Sequence, residues 1–401
     1  MILRRILGGD ESRAITVDKV FPRTAIGAPG VAGGMQVTPE TALNYSDVWA
    51  CVRILSATAG TIPLQVFRRQ TDGRERVLDS IAARLMARPA PYMTPSTFIS
   101  GVVTQLALYG NAFIAKYRDP GQPVAFVGLI HPSRVQVKID AGEPMFHISP
   151  GSGGLGASGE FTRRDVIHVK TWSVDGIVGL SPISCSQAIG LGAQLQKYGA
   201  QFFANSAHPS GVLQTSQRLT PEAVERLRDS WTAKFQGTDN AAKVAVLEEG
   251  LSWTPITMPL HDQEFLAQRR YSAREIAAIY GVPGHLIGAE TGSSMTYANV
   301  EQSTQAFLAH ALQPYLKATE EALAQDEDLF ALGGPDYPEF ILDAILRPDA
   351  RTRAEVYSTA LAGQPWMTPA EVRQRENLGP IPAEMVLPGD ETPESDTAGA
   401  A

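Results

Sequence analysis

"LSPISCSQAIGLGAQLQKYGAQFFANSA", residues 180–207, decides how the chain is organised. Ser181 is placed to cap a helix, and Pro182 suits its first turn. Ala188, Leu191, Leu195, Tyr198 and Phe202 recur at three- and four-residue intervals, which makes one apolar seam along a helix. Gly190, Gly192, Ala193, Gly199, Ala200 and Ala204 leave the other faces small. A glycine inside a helix costs about 1 kcal/mol relative to alanine, so several together predict a close approach of neighbouring helices. A second helix, from Asp262 to Tyr280, is closed by "GVP". Between the two lies a small αβ module. "GVLQT", "KVAVLEEG" and "LSWTPI" read as strands, and "LTPEAVERLRDSWTAKF" as a helix with cap Thr220, Pro221 and a staple between Leu219 and Val224. A helix leaves, a module is inserted, and a helix comes back.

On the N-terminal side, residues 1–44 are rich in Gly, Pro and Ala with little periodicity, and read as an arm with few fixed contacts. Val48, Val52 and Leu55 then share a helical face; Gly60 is read as the stop, and Pro63 to Arg69 as a strand. The scheme repeats with Thr94 as cap, Pro95, a closing Gly110 and a strand from Ala112 to Tyr117. Short β segments follow at Val124–Ile130, Arg134–Ile139, Met145–Ile148 and Asp165–Lys170, predicting a small barrel or sheet.

On the C-terminal side, "GAETGSSMTYANVEQ" (288–302) passes from a small, polar loop into a long helix running to about Gln325. Pro314 inside that helix removes a backbone hydrogen bond and crowds the carbonyl of His310, predicting a kink. "EFILDAIL" reads as a strand, Ala350–Gly363 as a helix, and "TPAE" as a capping box of Thr368 with Glu371. The last stretch, "PGDETPESDTAGAA", is acidic and lacks Lys and Arg, the composition of a disordered tail.

At 401 residues the chain predicts more than one domain. A formal net charge of −8 argues against a protein that grips nucleic acid through a basic surface. The two cysteines, Cys51 and Cys185, have no metal-ligand spacing and are expected as reduced thiols. No apolar run approaches a membrane span, and "MILRRILGG" is too short for a signal peptide. Gly151, Gly153 and Gly156 match a dinucleotide fingerprint, but a strand, "FTRRDVIHVK", follows where a helix would be needed. "RRQTDGRER" and the pair Arg163–Arg164 read as solvated basic surface. The seven histidines are scattered, His168 reads as a sheet residue, and no nucleophile elbow occurs. Neither enzymatic activity nor a cofactor is expected.

Taken in order, several stretches resemble the portal proteins of tailed bacteriophages, the family of long-tailed phages and gene transfer agents. They include "YSDVWACVRILSATAGTIPLQVFRR", "LALYGNAFIAKY", "LIHPSRVQVK", "DGIVGLSPI", "YGAQFFANSAHPSGVL", "IAAIYGVPGHLIG", "TYANVEQ" and "WMTPAEVRQRENLGPIP". They span about Tyr45 to Pro382 and leave out the arm and the tail. The fold class this implies is α+β. Its parts would be an arm (1–44), a β-rich wing (45–180), a first stem helix (181–209) and an αβ clip (210–258). A second stem helix (259–283), a tunnel loop (284–296), a kinked spine helix with a wing strand (297–347), a crown (348–387) and the tail (388–401) would follow.

The resemblance further implies a homo-oligomeric ring, usually of twelve subunits, at one vertex of a phage-like capsid. Double-stranded DNA would pass non-specifically through its channel. The major capsid protein, the terminase large subunit and then the head-completion adaptor and tail would be its partners, with assembly in the bacterial cytoplasm, residence in the virion and no membrane contact. Lumen-facing candidates are Glu290, Thr291, Ser293, Ser294, Met295, Thr296 and Asn299; the hydroxyls and amide can make brief hydrogen bonds to phosphates without fixed charge. Arg218 and Asp239, in "TSQR" and "QGTDN", are the candidate clip tips. A different structural ring and a nucleic-acid enzyme are the competing readings. The clip insertion speaks against the first, and the lack of an acidic metal motif or phosphate loop against the second.

Overall fold

The computed structural model describes residues 30–32, 35–71, 73–140, 142–151, 158–185, 187–204, 211–214, 220–221, 225, 252–255, 261–289, 297–342, 350–362, 365–376 and 378–379. They belong to two units, one reaching Ile341 and one beginning at Leu342.

The first unit starts with a hairpin, β1 (Gly30–Ala32) and β2 (Met35–Val37), and a short helix, α1 (Pro39–Ala42). This corrects the reading of the arm from Gly30 onward. Thr38 caps α1 in a reciprocal box with Thr41, a pairing hard to see without the usual Glu or Gln, and Val37 and Ala42 are buried. Next comes α2 (Ser46–Thr61), whose buried face holds Val48, Cys51, Val52 and Leu55. Gly60 lies within α2 and does not stop it. A Cβ there would fall 2.2 Å from Ser100 Oγ and 2.9 Å from the Ser96 carbonyl, so this glycine lets two helices touch.

β3 (Leu64–Gln70) and β4 (Gly73–Arg76) form an antiparallel hairpin over the "RRQTDGRER" stretch. After α3 (Ile81–Ala87), α4 (Pro95–Tyr109) packs against α2. As expected, Thr94 caps α4, Pro95 opens it and Gly110 closes it at φ +70, with its N–H donating to the Leu106 carbonyl at 2.8 Å.

β5 (Asn111–Tyr117) is buried almost throughout and is flanked in its sheet by β6 (Phe126–Ile130) and, later, β10 (Val166–Lys170). β7 (Val135–Asp140), β8 (Glu143–Ile148) and β9 (Gly159–Thr162) form a second antiparallel sheet. The two sheets share one core, in which Phe113, Ile130, Val135, Phe146, Ile148 and Val166 meet and the rings of Phe113 and Phe146 cross edge to face. The glycine-rich stretch joins two paired strands, β8 and β9, which is not the setting of a dinucleotide site. His168 is a sheet residue as read: it stacks on Phe113, with ring centroids 4.5 Å apart, and burial pushes its pKa down to about 3.

α5 (Pro182–Cys185), α6 (Gln187–Ala204), the pair β11 (Gly211–Gln214) and β12 (Ser252–Pro255), and α7 (His261–Tyr280) follow. α8 (Tyr297–Ala306) runs into a π-helical segment, Phe307–Leu312, and then α9 (Gln313–Ala324). β13 (Asp336–Phe340) pairs with β3 at the sheet edge. The strand therefore starts earlier than "EFILDAIL" suggests. Pro338 masks it in the sequence, yet an edge position tolerates a missing N–H, and Arg68 meets Asp336 with a bidentate pair at 2.7 and 2.9 Å. The rest of that stretch, residues 343–346, lies outside the described residues. In the second unit, α10 (Ala350–Leu361) precedes α11 (Pro369–Arg375), which opens on the expected capping box: the Glu371 backbone donates to Thr368 Oγ1, and Thr368 N–H to Glu371 Oε2.

Candidate functional site

The helix–insertion–helix motif is built as follows. Ser181 Oγ, buried, accepts from the backbone of Ile183 and donates to the Leu108 carbonyl, so the cap both starts α5 and fixes it to the end of α4. Along α6 the buried positions include Ile189, Gly190 and Ala193, whereas Leu191 stands 51% exposed. Of the apolar seam read from the sequence, Leu191 is exposed while Ala188 and Leu195 are half-buried. The small face packs closely: a Cβ on Gly192 would lie 2.6 Å from Ser272 Oγ and 3.4 Å from Ile276 Cδ1 of α7. Dispersion favours backbones that approach closely, and the larger Leu191 is left outward. On α7, Tyr271 and Ile279 are also exposed, while Ile276, Ala277 and Tyr280 are buried.

α7 ends as "GVP" predicts. Gly281 adopts φ +66, and Val282 N–H donates to the Ala277 carbonyl at 2.9 Å. Gly281 abuts the π segment, where a Cβ would meet Ala311 Cβ at 3.2 Å. A single 3₁₀ turn, Gly284–Ile287, follows and Gly288 closes it at φ +73. Ala289 is buried, and its N–H donates to the Gly284 carbonyl at 2.8 Å. Ala289 therefore belongs to the anchored base, not to the loop. Glu290, Thr291, Ser293, Ser294, Met295 and Thr296 lie outside the described residues, as do Arg218 and Asp239. Asn299 lies within α8. Downstream on α8, Gln302, Thr304, Gln305 and Ala306 are exposed.

The interruption expected at Pro314 takes a specific form. The π segment comes immediately before the proline, and α9 starts at Gln313 with Pro314 in its first turn. Proline has no N–H to donate to the preceding turn; a widened turn accommodates that loss while Phe307, Leu308, Ala311 and Leu312 stay buried.

Three features escaped the sequence reading. Lys116 on β5 is buried with its ammonium 2.5 Å from Asp326 and 2.7 Å from Asp328, just beyond α9. Burial pushes the Asp326 carboxyl up despite that partner. For the half-buried Asp328, burial also acts upward, but Lys116 and Arg118 outweigh it and hold the group below its ordinary value. A cavity of about 710 Å³ opens beside this cluster. Finally, Trp172 is 85% exposed at φ +31. Partners two hundred residues apart leave no local signal. The hydroxyls of Ser272 and Tyr280 are buried without a hydrogen-bond partner, and burial raises the Tyr280 pKa. Among the described residues no helix is long and apolar enough to cross a membrane.

These parts have a family counterpart. The model of the phage portal protein family matches residues 46–377, and the chain belongs to that family. It is 32% identical over 364 residues to the probable portal protein of Streptomyces phage phiC31, covering 88% of this chain and 78% of that one. To the portal protein of Enterobacteria phage HK97 it is 28% identical over 379 residues, covering 92% and 87%. Its fold matches a chain in the neck of an empty GTA (gene transfer agent) particle, computed with C6 symmetry. That likeness has a TM-score of 0.64 at 23% identity, over 88% of this chain and 96% of that one.

Proposed function

We propose that copies of this chain close into a ring at one vertex of a phage-like capsid, and that double-stranded DNA enters and leaves through its channel. Family membership across residues 46–377 carries the reading. Leu191, Tyr271 and Ile279, exposed on the helix pair, support it, because a neighbouring subunit would cover them. Twelve subunits is our proposed number, which the sixfold symmetry of the related GTA neck accommodates.

In this reading α6 and α7 are the stem and the module between them is the clip. Arg218 and Asp239 meet the terminase large subunit during packaging and the head-completion adaptor afterwards. The loop that follows Ala289 faces the lumen with Glu290, Thr291, Ser293, Ser294, Met295 and Thr296, and Asn299 continues that surface. Uncharged hydroxyls suit a surface that DNA must slide past, because each neutralised phosphate adds salt-sensitive binding; the net charge of −8 fits the same demand. The protein works without cofactor or catalytic residue, assembles in the bacterial cytoplasm, contacts the major capsid protein and stays in the virion.

Electron microscopy of the purified protein tests the ring: an annulus with a central hole is expected. A stable monomer at micromolar concentration in several salts would overturn it. The lumen assignment is tested by deleting 290–295 while keeping the buried Ala289. Rings of normal stability that protect less DNA from nuclease are expected; normal rings with normal protected DNA would sink it.

A further inference from the structure

We infer that the chain turns back on itself after α11, and that its own segment Ile381–Leu387 docks in a pocket of the second unit.

The pocket is formed within that unit alone. Trp366, Met367, Glu371 and Arg375 line a space of about 300 Å³. The last three stand four positions apart, so they follow one side of α11 and the turn leading into it. Met367 is buried, whereas Trp366 beside it is 63% exposed. The surrounding frame is fixed. Trp366 N–H donates to the Ala360 carbonyl at 3.2 Å. Glu376 Oε1 accepts from Arg353 at 3.1 Å and from the Tyr357 hydroxyl at 3.0 Å, which ties α11 to α10. An indole left open next to a buried methionine is a place where a further apolar group gains from burial.

Two hydrogen bonds direct the chain towards this pocket. Leu378 N–H donates to the Arg373 carbonyl at 2.8 Å, the bond that closes a Schellman turn. Arg373 Nε donates to the Gly379 carbonyl, also at 2.8 Å. The backbone is therefore bent back towards α11 at the point where the described residues end; residues 380–401 lie beyond them.

The sequence that follows suits the pocket. "PIPAEMVLP", 380–388, carries Ile381, Met385, Val386 and Leu387 before the acidic stretch "GDETPESD" begins. Pro380, Pro382 and Pro388 bias Gly379, Ile381 and Leu387 towards extended backbone, so little freedom is lost on docking. From Arg375 back to Met367 is about 12 Å along the helix, a distance that about four extended residues cover. Met385 to Leu387 thus reach Trp366 with length to spare. Tethering at the pocket's edge gives the segment a high effective concentration there, and for this reason the occupant is the chain's own segment and not a second copy or another protein. The family match ends at residue 377, so the docked segment lies beyond the shared portion. Docking also fixes the point from which the acidic tail leaves.

Two measurements on the full chain test this. Met385→Asp with Leu387→Asp should speed amide hydrogen exchange in α10 and α11 about tenfold, the scale of one lost apolar contact. The pair should add little when Trp366→Ala is already present, because partners in one contact are not additive. Unchanged exchange, or losses that simply add, would overturn the contact. Arg375→Cys with Ala383→Cys, treated with a short bismaleimide, should give a cross-linked peptide within one chain that still runs as a monomer on a denaturing gel. Neither single variant should give it. A covalent ladder in its place would assign the pocket to a second copy, and no link at all would leave it without this occupant; either result overturns the inference. None of these outcomes depends on the ring.

Discussion

Replacing Lys116 by methionine keeps the length of the side chain and removes its charge. The ammonium lies 2.5 Å from Asp326 and 2.7 Å from Asp328, with side chains 1% exposed for Lys116 and 5% for Asp326. Arg118 still holds Asp328, at 2.9 Å, but Asp326 is left a buried carboxylate without its cation. Breaking a buried pair from one side costs about 3–5 kcal/mol. With a urea m-value of about 1–3 kcal/mol/M, the midpoint should fall by about 1 M or more. Lys116→Met/Asp326→Leu should recover most of the loss, since removing both charges of a buried pair is often close to neutral. The pH dependence has a definite sign. Burial already raises the Asp326 carboxyl above 3.8, and the variant raises it further. A raised carboxyl penalises folding fully above its folded pKa and not at all below its unfolded one, so the deficit of Lys116→Met shrinks on acidification towards pH 4. Circular dichroism in urea at pH 7 and pH 4.5 measures both effects. A midpoint within about 0.2 M of wild type, or a deficit that grows on acidification, would refute the argument.

Gly110→Ala places a Cβ 2.2 Å from the Leu180 carbonyl oxygen at φ +70; because the obstacle is backbone, a loss above the usual ~1 kcal/mol is expected in thermal unfolding. Gly192→Leu should separate α6 from α7, where Ser272 Oγ is only 2.6 Å from the first added carbon; a loss of about 1–3 kcal/mol is expected, with rings weakened in native mass spectra. Charge reversal at Arg218 and at Asp239 should leave rings intact and reduce the yield of DNA-filled particles, and full yields would remove these residues from the partner surface.

The sequence by itself determined whatever depends on neighbours along the chain. Thr94, Pro95 and Gly110 bound a helix because caps and left-handed closure are local events. Ser181 and Pro182 start the next, Thr368 and Glu371 box the last, and Gly281 ends α7 for the same reason. The ordered series of stretches placed the family as well. Tertiary structure decided which face of each element is used. Small residues on α6 announced a close approach, but only packing against α7 showed that Gly192 and Ala193 turn inward while Leu191 is left outside. Gly60 read as a stop because its local effect is to weaken a helix, yet its use is the contact with α4. Lys116 and Asp326 stand 210 positions apart, a separation at which periodicity carries no information. Trp172, at φ +31, sits in a loop held by hydrogen bonds to Gly110 and Leu180 and by the Asn111 amide on Gly179. No pattern of residue types encodes such a constraint, because it exists only once the strands and the loop have come together.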